Sequence, residues 1–329
     1  MNWNDPVIAA AIAAVETASA ATLCVRRGQV PLAVHTKDDR SPVTVADFAA
    51  QALVVKVLSE RLPTPFTLVG EEDAAALDAQ PDLLASVLAV VRCIHPTATA
   101  AEVLAWIHHG TGEPKADGFW TLDPIDGTKG FLRGGQYAVC LAYIEKGAVE
   151  IGLLGCPSMA LEGDPAEVVP NGSTYLAVRG QGAWGWSAGH APATAKRLHI
   201  RPWQPGQPLR VAHSVEAAHS NLGEQAERLA ARGIQGVPVA LDSQAKYAVV
   251  ASGRADAYFR IPGNPKRREC IWDHASGILI AAEAGCAVSD AHGQPLDFGC
   301  GRRLENNFGL LAVAPALHPL LVTSPASNA

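Results

Sequence analysis

Asp123-Pro124-Ile125-Asp126-Gly127-Thr128-Lys129-Gly130-Phe131-Leu132-Arg133-Gly134, DPIDGTKGFLRG, is the stretch on which the reading of this chain turns. It follows Phe119 to Leu122, an apolar run that reads as a strand ending on Asp123. Pro124 fixes the backbone, Gly127 frees it, and Thr128 offers a hydroxyl where a helix can begin. Two carboxylates three residues apart, the Ile125 carbonyl and the Thr128 hydroxyl can therefore face one small volume. Hard oxygen donors in that arrangement suit Mg²⁺, and amide groups at the start of a helix suit phosphate. A solvated turn with an Asp/Thr helix cap fits the same string about equally well. The spacing separates two chemistries. Phosphatases that form an aspartyl-phosphate carry D-x-D-G-T, with the acids two apart. Here they are three apart with a proline between, which argues against a covalent aspartate.

Other acids sit where chain ends can aim them. Glu71 and Glu72 follow a short strand, Phe66 to Val69. Asp273 opens an apolar helix read as Trp272 to Ala284 and stopped by Gly285. Asp47 lies in the first turn of a helix from Thr44 to Leu62, stopped by Pro63. Each alone reads as a solvated acid or as compensation of a helix dipole. A hydrolase with paired metal ions needs several carboxylates from separate segments, holding ions about 3.5–4 Å apart.

The bulk numbers set the frame. The chain has 329 residues, 48% hydrophobic and 18% charged, enough apolar matter for a large core. A net charge of −6 gives no general attraction to nucleic acid or anionic membrane, so an anionic substrate needs local cations or metals. The seven cysteines (24, 93, 140, 156, 270, 286 and 300) are scattered and show no C-x-x-C spacing. That pattern argues against a disulfide framework or a zinc site, and for a reducing compartment. The alanine-rich stretch from Asp5 to Arg27 carries Glu16 and has Pro6 and Gly28 at its ends, the signature of a helix rather than a signal peptide. No run of 18 apolar residues occurs, so no membrane span is expected. The expected state is a cytoplasmic monomer.

Further helical patterns cover Pro81 to Cys93 and Thr99 to His109. Tyr137 to Ile144 and Val149 to Leu154 read as a hairpin, followed by strands at Tyr175 to Val178 and Ala183 to Trp186. RPWQPGQP, residues 201–208, is the best linker candidate. Beyond it, strands at Leu209 to Ala212, Val237 to Leu241 and Ala257 to Arg260 alternate with helices near Leu222 to Arg232 and Ser243 to Ser252. The reading is an α+β domain over residues 1–204, carrying most of the metal ligands, and an α/β domain over 205–329.

The runs SPVTVAD (41–47), VGEED (69–73), DPIDGTKGF (123–131) and WDHASGILIAAEAG (272–285) occur together in an order and spacing that resembles the inositol monophosphatase superfamily. The resemblance spans nearly the whole chain and is weak over 73–118 and 159–211. It implies a layered αβαβα sandwich and a Mg²⁺-dependent, lithium-sensitive phosphatase of small phosphate esters. KGFLRGGQYAVCLA (129–142), LDSQAKYAVVASGRADAYFR (241–260) and PLDFGCGRRL (295–304) are similar to the branch acting on 3′(2′),5′-bisphosphate nucleotides. That branch removes the 3′-phosphate of adenosine 3′,5′-bisphosphate and of 3′-phosphoadenylyl sulfate by metal-activated water, without a phosphoenzyme.

Carried over, the resemblance assigns Glu71, Asp123 and the Ile125 carbonyl to one metal, and Asp123, Asp126 and Asp273 to a second. Asp47 pairs with Thr128 to orient the attacking water, and a third, looser ion near Asp47 makes two to three Mg²⁺ in all. Thr128, His219, Ser243, Lys246, Arg260 and Asp273 contact the nucleotide. The chain departs from the branch at Gly135, where an acid is common, in the thinned loop at Leu222-Gly223, and in the basic insert Gly263 to Glu269. Two other readings stay open: an inositol mono- or polyphosphate 1-phosphatase, and a non-catalytic nucleotide sensor, which would lack one or more of the acids.

Overall fold

A computed structural model describes residues 1–36, 42–190, 192–215, 222–264 and 266–323. The chain opens with helix α1 (Pro6–Arg26), whose first two free amides, those of Val7 and Ile8, are capped by the Asp5 carboxylate. A small hairpin, β1 (Val34–Thr36) and β2 (Pro42–Thr44), leads into α2 (Val45–Arg61). Strand β3 (Leu68–Gly70) is followed by α3 (Ala75–Ala79), α4 (Pro81–Ile94) and α5 (Ala100–His109). Strand β4 (Phe119–Asp126) runs into the one-turn helix α6 (Thr128–Leu132). Then β5 (Ala138–Glu145), β6 (Ala148–Cys156), β7 (Ser173–Val178), β8 (Ala183–Ser187) and β9 (Lys196–Arg197) complete a seven-stranded sheet in the order β3-β4-β5-β6-β7-β8-β9.

The second sheet has five strands. Its elements are β10 (Leu209–His213), α7 (Leu222–Ala230), β11 (Gly236–Ala240), α8 (Ala245–Ala251), β12 (Ala257–Arg260), α9 (Ala275–Glu283), β13 (Ala287–Ser289) and β14 (Leu310–Val313), followed by α10 (His318–Leu321). The strand order is β11-β10-β12-β14-β13. β10 is parallel to both neighbours, and β14 is antiparallel to both of its own.

Side-chain alternation along the strands builds the layers. On β5, Val139 and Leu141 pack with Ala11, Val15 and Val54 of α1 and α2, whereas Ala138, Cys140 and Ala142 turn to the opposite core. That opposite core holds α8 and α9 together with Ala212, Tyr258, Leu310 and Ala312 of the second sheet. The other face of the second sheet, through Val211, Phe259 and Leu311, packs on Leu229 of α7, on Leu321 of α10 and on Leu317 just before it. The result is helix, sheet, helix, sheet, helix: an αβαβα sandwich in which both sheets are covered, which is why their strands read as nearly continuous apolar runs.

In length and mean hydropathy (1.8) α1 would satisfy a membrane span. It is a core helix instead, packed on α2 and β6, with Glu16 accepting the indole N–H of Trp186 at 3.0 Å. All seven cysteines are unpaired.

Three sequence expectations change. β4 does not stop at Asp123 but continues to Asp126 through a bulge, since three residue steps from Asp123 to Asp126 match two from Cys140 to Ala138 on β5. Pro124, with no N–H to offer a ladder, sits inside that bulge. The Trp272 to Ala284 helix is interrupted: a 3₁₀ turn, Ile271–Asp273, precedes α9, and His274 between them has φ −140°. The linker candidate is packed, with Trp203 buried in the outer core of the second sheet.

Candidate metal and substrate site

Parallel pairing of β3 with β4 aligns Gly70 with Leu122, so the carboxyl ends of both strands meet at one edge. The Glu71 amide donates to the Leu122 carbonyl at 3.1 Å, which sets Glu71 beside Asp123. Buried Gln51 of α2 fixes this strand end, donating to the Glu72 carbonyl at 2.6 Å and accepting from the Glu72 amide at 3.2 Å. Glu72 is thereby turned away and buried, and Glu71 alone of the pair lines the cleft. The bulge aims Asp126 the same way as Asp123. Gly127, at φ +85°, turns the chain into α6 so closely that a Cβ there would stand 3.0 Å from Ser243 Cβ.

Thr128 Oγ1 lies 3.1 Å from the Ile125 carbonyl and 3.5 Å from Asp47 Oδ1. The other oxygen of Asp47 accepts from the Thr44 amide at 2.8 Å and the Thr44 hydroxyl at 2.6 Å, closing a capping box on α2. Asp47 therefore fulfils the helix-capping reading and faces Thr128 as well.

The second half supplies the facing wall. The Gln244 amide donates to Asp126 Oδ2 at 2.5 Å, and its side chain bridges the Trp272 carbonyl at 2.7 Å and the Gly277 amide at 3.0 Å. One residue thus ties Asp126 to the segment bearing Asp273. The break at His274 lets Asp273 enter the cleft while α9 packs between the sheets. The His274 ring is held by the Tyr247 hydroxyl at 2.9 Å.

Glu71, Asp123, Ile125, Asp126, Thr128, Ser243, Lys246, Arg260 and Asp273 all line a single cleft of about 570 Å³. Of the residues expected from the sequence, Asp47 stands just behind it through Thr128, and His219 lies outside the described residues. Lys246 and Arg260, whose types alone suggest surface solvation, are not surface residues. Lys246 is buried, with Nζ 5.3 Å from the centre of the Tyr258 ring, and Arg260 Nε is 3.0 Å from Glu269. Arg133 pairs with Asp242 at 2.6 Å across the two halves, joining the runs KGFLRG and LDSQAKY physically. Gln51, Gln244 and Arg302 also position the acids, and no sequence pattern marks them. Their types carry no chemical signal, and only the fold brings them to the acids.

The electrostatics call for a cation. Burial, and then the Glu71 carboxylate, push Asp123 well above the usual carboxylate range. Burial and then Asp126 do the same to Asp273. Burial lifts Asp126 to about 6 against the pull of Lys246 and the Gln244 amide. Acids so placed stay ionised together at neutral pH when positive charge sits among them. The donors are all hard oxygens, as Mg²⁺ requires. Glu269, Asp273 and His274 also present three ligand atoms within 4.8 Å of one another. Glu269, however, is committed to Arg260 and Arg267, so that trio makes a poorer cation site.

A layered sandwich with converging carboxylates at strand ends defines a metal-dependent phosphatase class. The chain belongs to the inositol monophosphatase family, whose model matches residues 3–326. It is 40% identical over 303 residues to the 3′(2′),5′-bisphosphate nucleotidase of Schizosaccharomyces pombe, covering 89% of this chain and 86% of that protein. Its identity to the Emericella nidulans protein of the same name is 38% over 315 residues, 88% of this chain and 89% of that one. Among solved structures, the extragenic suppressor protein suhB of Bartonella henselae superposes with a TM-score of 0.64 at 18% identity, covering 99% of this chain and 100% of that one. This last likeness speaks for the fold.

Proposed function

We propose that this chain is a Mg²⁺-dependent 3′(2′),5′-bisphosphate nucleotidase. It removes the 3′-phosphate of adenosine 3′,5′-bisphosphate, giving AMP and phosphate, and acts likewise on 3′-phosphoadenylyl sulfate. The observation that carries this reading is one cleft with an acidic floor and a basic wall. Glu71, Asp123, Asp126 and Asp273 line it together with Ser243, Lys246 and Arg260. Relatives at about 40% identity bear the nucleotidase name, which favours the nucleotide over an inositol phosphate.

Glu71, Asp123 and the Ile125 carbonyl would hold one Mg²⁺, and Asp123, Asp126 and Asp273 a second, supplying charge neutralisation and Lewis acidity at the scissile phosphate. The chain's own groups do the rest. The Thr128 hydroxyl has a single proton, shared between Ile125 and Asp47. Donated toward Asp47, it leaves the lone pairs of the oxygen free to accept from an attacking water. Two hydrogen bonds from Thr44 fix the other oxygen of Asp47, so that Oδ1 stays turned toward Thr128. Ser243, Lys246 and Arg260 hold the sugar and the remaining phosphate.

Phosphate release from adenosine 3′,5′-bisphosphate and from inositol 1-phosphate, with and without Mg²⁺, tests the reading. The nucleotide should turn over faster and only with Mg²⁺. Faster hydrolysis of the inositol ester overturns the branch assignment. Asp126→Asn keeps an acceptor for Gln244 and should abolish turnover with the fold intact, whereas full activity in that variant removes Asp126 from the metal site.

A further inference from the structure

The basic insert Gly263 to Glu269 has no part in the proposed reaction. It lines a second cavity, also about 570 Å³, formed by Asn264, Lys266, Arg267, Arg268, Cys270, Arg303 and neighbouring acids. Arg267, Cys270, Asp273 and Arg303 line this cavity and the main cleft alike, so the two spaces adjoin. The link runs through Glu269. Its Oε1 is 3.0 Å from Arg260 Nε and 3.5 Å from Arg267 Nε, so one buried carboxylate holds both guanidinium groups. Burial raises the Glu269 carboxyl, yet the neighbouring His274 ring, 3.8 Å away, and the charge of Arg260 hold it down at about 2.

Arg303 lines the same cavity as Arg267. Among the described residues its guanidinium makes one bond, to the Arg268 carbonyl at 2.9 Å, and no carboxylate neutralises it. Both arginines are exposed toward the opening. In a chain of net charge −6, a row of cations leading out of the substrate cleft is a local reversal of sign.

We propose that Arg267 and Arg303 form an outer anion subsite for an acidic group joined to the non-scissile phosphate through an anhydride oxygen. The inference rests on the nucleotidase reading. With a nucleotide seated against Arg260, its remaining phosphate has Arg267 and Arg303 further out. A sulfate or second phosphate attached to it carries negative charge outward, into a cavity where Lys266, Arg267, Arg268 and Arg303 outnumber the acids Glu269, Asp273 and Glu305. Guanidinium forks suit such tetrahedral oxyanions. The subsite favours extended nucleotides over the plain bisphosphate.

The test is kcat and KM for the wild type, Arg267→Gln, Arg303→Gln and the double variant. Three substrates are compared: adenosine 3′,5′-bisphosphate, 3′-phosphoadenylyl sulfate and adenosine 3′-phosphate 5′-diphosphate. Both positions are exposed, and bisphosphate turnover reports that each variant is folded. The double variant should raise KM for the extended nucleotides about tenfold more than for the bisphosphate, with kcat little changed. An effect on only one extended nucleotide supports the subsite and identifies its occupant as sulfate or phosphate. Equal changes on all three substrates, or none, overturn the subsite while leaving the activity standing. No wild-type turnover on any of them overturns the activity reading and the subsite with it.

Discussion

At the scale of single residues, Asp47 and Thr128 show what a sequence can and cannot say. Asp47 three residues after Thr44 is a capping-box spacing, and the structure contains that box. The partnership with Thr128 spans 81 positions and is visible only in three dimensions, although the family resemblance anticipated it. Asp123 and Asp126 were legible because they share one turn. Lys246 was not, because nothing local marks a lysine as buried. Burial holds its ammonium down to about 8, against the pull of Asp126 and Asp242. The hydroxyl of Thr128 yields a sharp expectation. Thr128→Val keeps the shape and removes the proton donor, so kcat should fall by about 10²–10⁴ while KM and thermal unfolding change little. Initial rates and a melting curve check this, and near-wild-type kcat would remove the hydroxyl from the reaction.

At the scale of elements, propensity found most helices and strands but missed their irregularities. The β4 bulge and the break at His274 are the two places where backbone regularity yields to aiming an acid, and neither has a local signature strong enough to read. The segment 201–208 looked like a linker on proline and glycine content, yet it is anchored. Arg201 donates to both oxygens of Asp256, at 2.9 and 2.8 Å, and Arg210 of β10 donates to the same carboxylate through its backbone and side chain. Burial raises the Asp256 carboxyl, but the bonds from Arg210 and Arg201 outweigh it and hold the group below its usual 3.8. A depressed folded value stabilises the fold above the unfolded value, and that contribution is lost as pH falls through the folded one. Asp256→Asn should therefore lower stability at neutral pH by about 1.5–3 kcal/mol, since both arginines retain some water. The gap to wild type should narrow as pH drops below 3.8. Denaturant unfolding at several pH values measures it, and a gap independent of pH would rule out the charged pairing as its cause.

At the scale of the whole molecule, the site exists because two sheets meet, and the groups that join them were the least legible part. Arg302 is the clearest case. Its Nη2 donates to the Gly70 carbonyl at 2.7 Å and its Nη1 approaches the Gly112 carbonyl at 3.4 Å, both in the first half. Its guanidinium also covers the Trp272 ring at 4.8 Å. Gly70 precedes Glu71 and Trp272 precedes Asp273, so one side chain clamps the neighbours of two acids that approach from opposite halves. In sequence it is an arginine in a loop 29 positions beyond Asp273, with no spacing to betray it. Outer contacts that orient ligands typically change metal affinity or activity by about 10–100-fold when removed. Arg302→Lys keeps the charge but loses the fork that reaches two carbonyls, so it should raise the Mg²⁺ concentration for half-maximal turnover toward that range. The effect on kcat at saturating Mg²⁺ should be smaller, because the acids themselves are intact. A Mg²⁺ titration of initial rates decides it. An unchanged half-saturation point in a folded variant would mean that Glu71 and Asp273 hold their places without the clamp, leaving Gln51 and Gln244 to align the two halves.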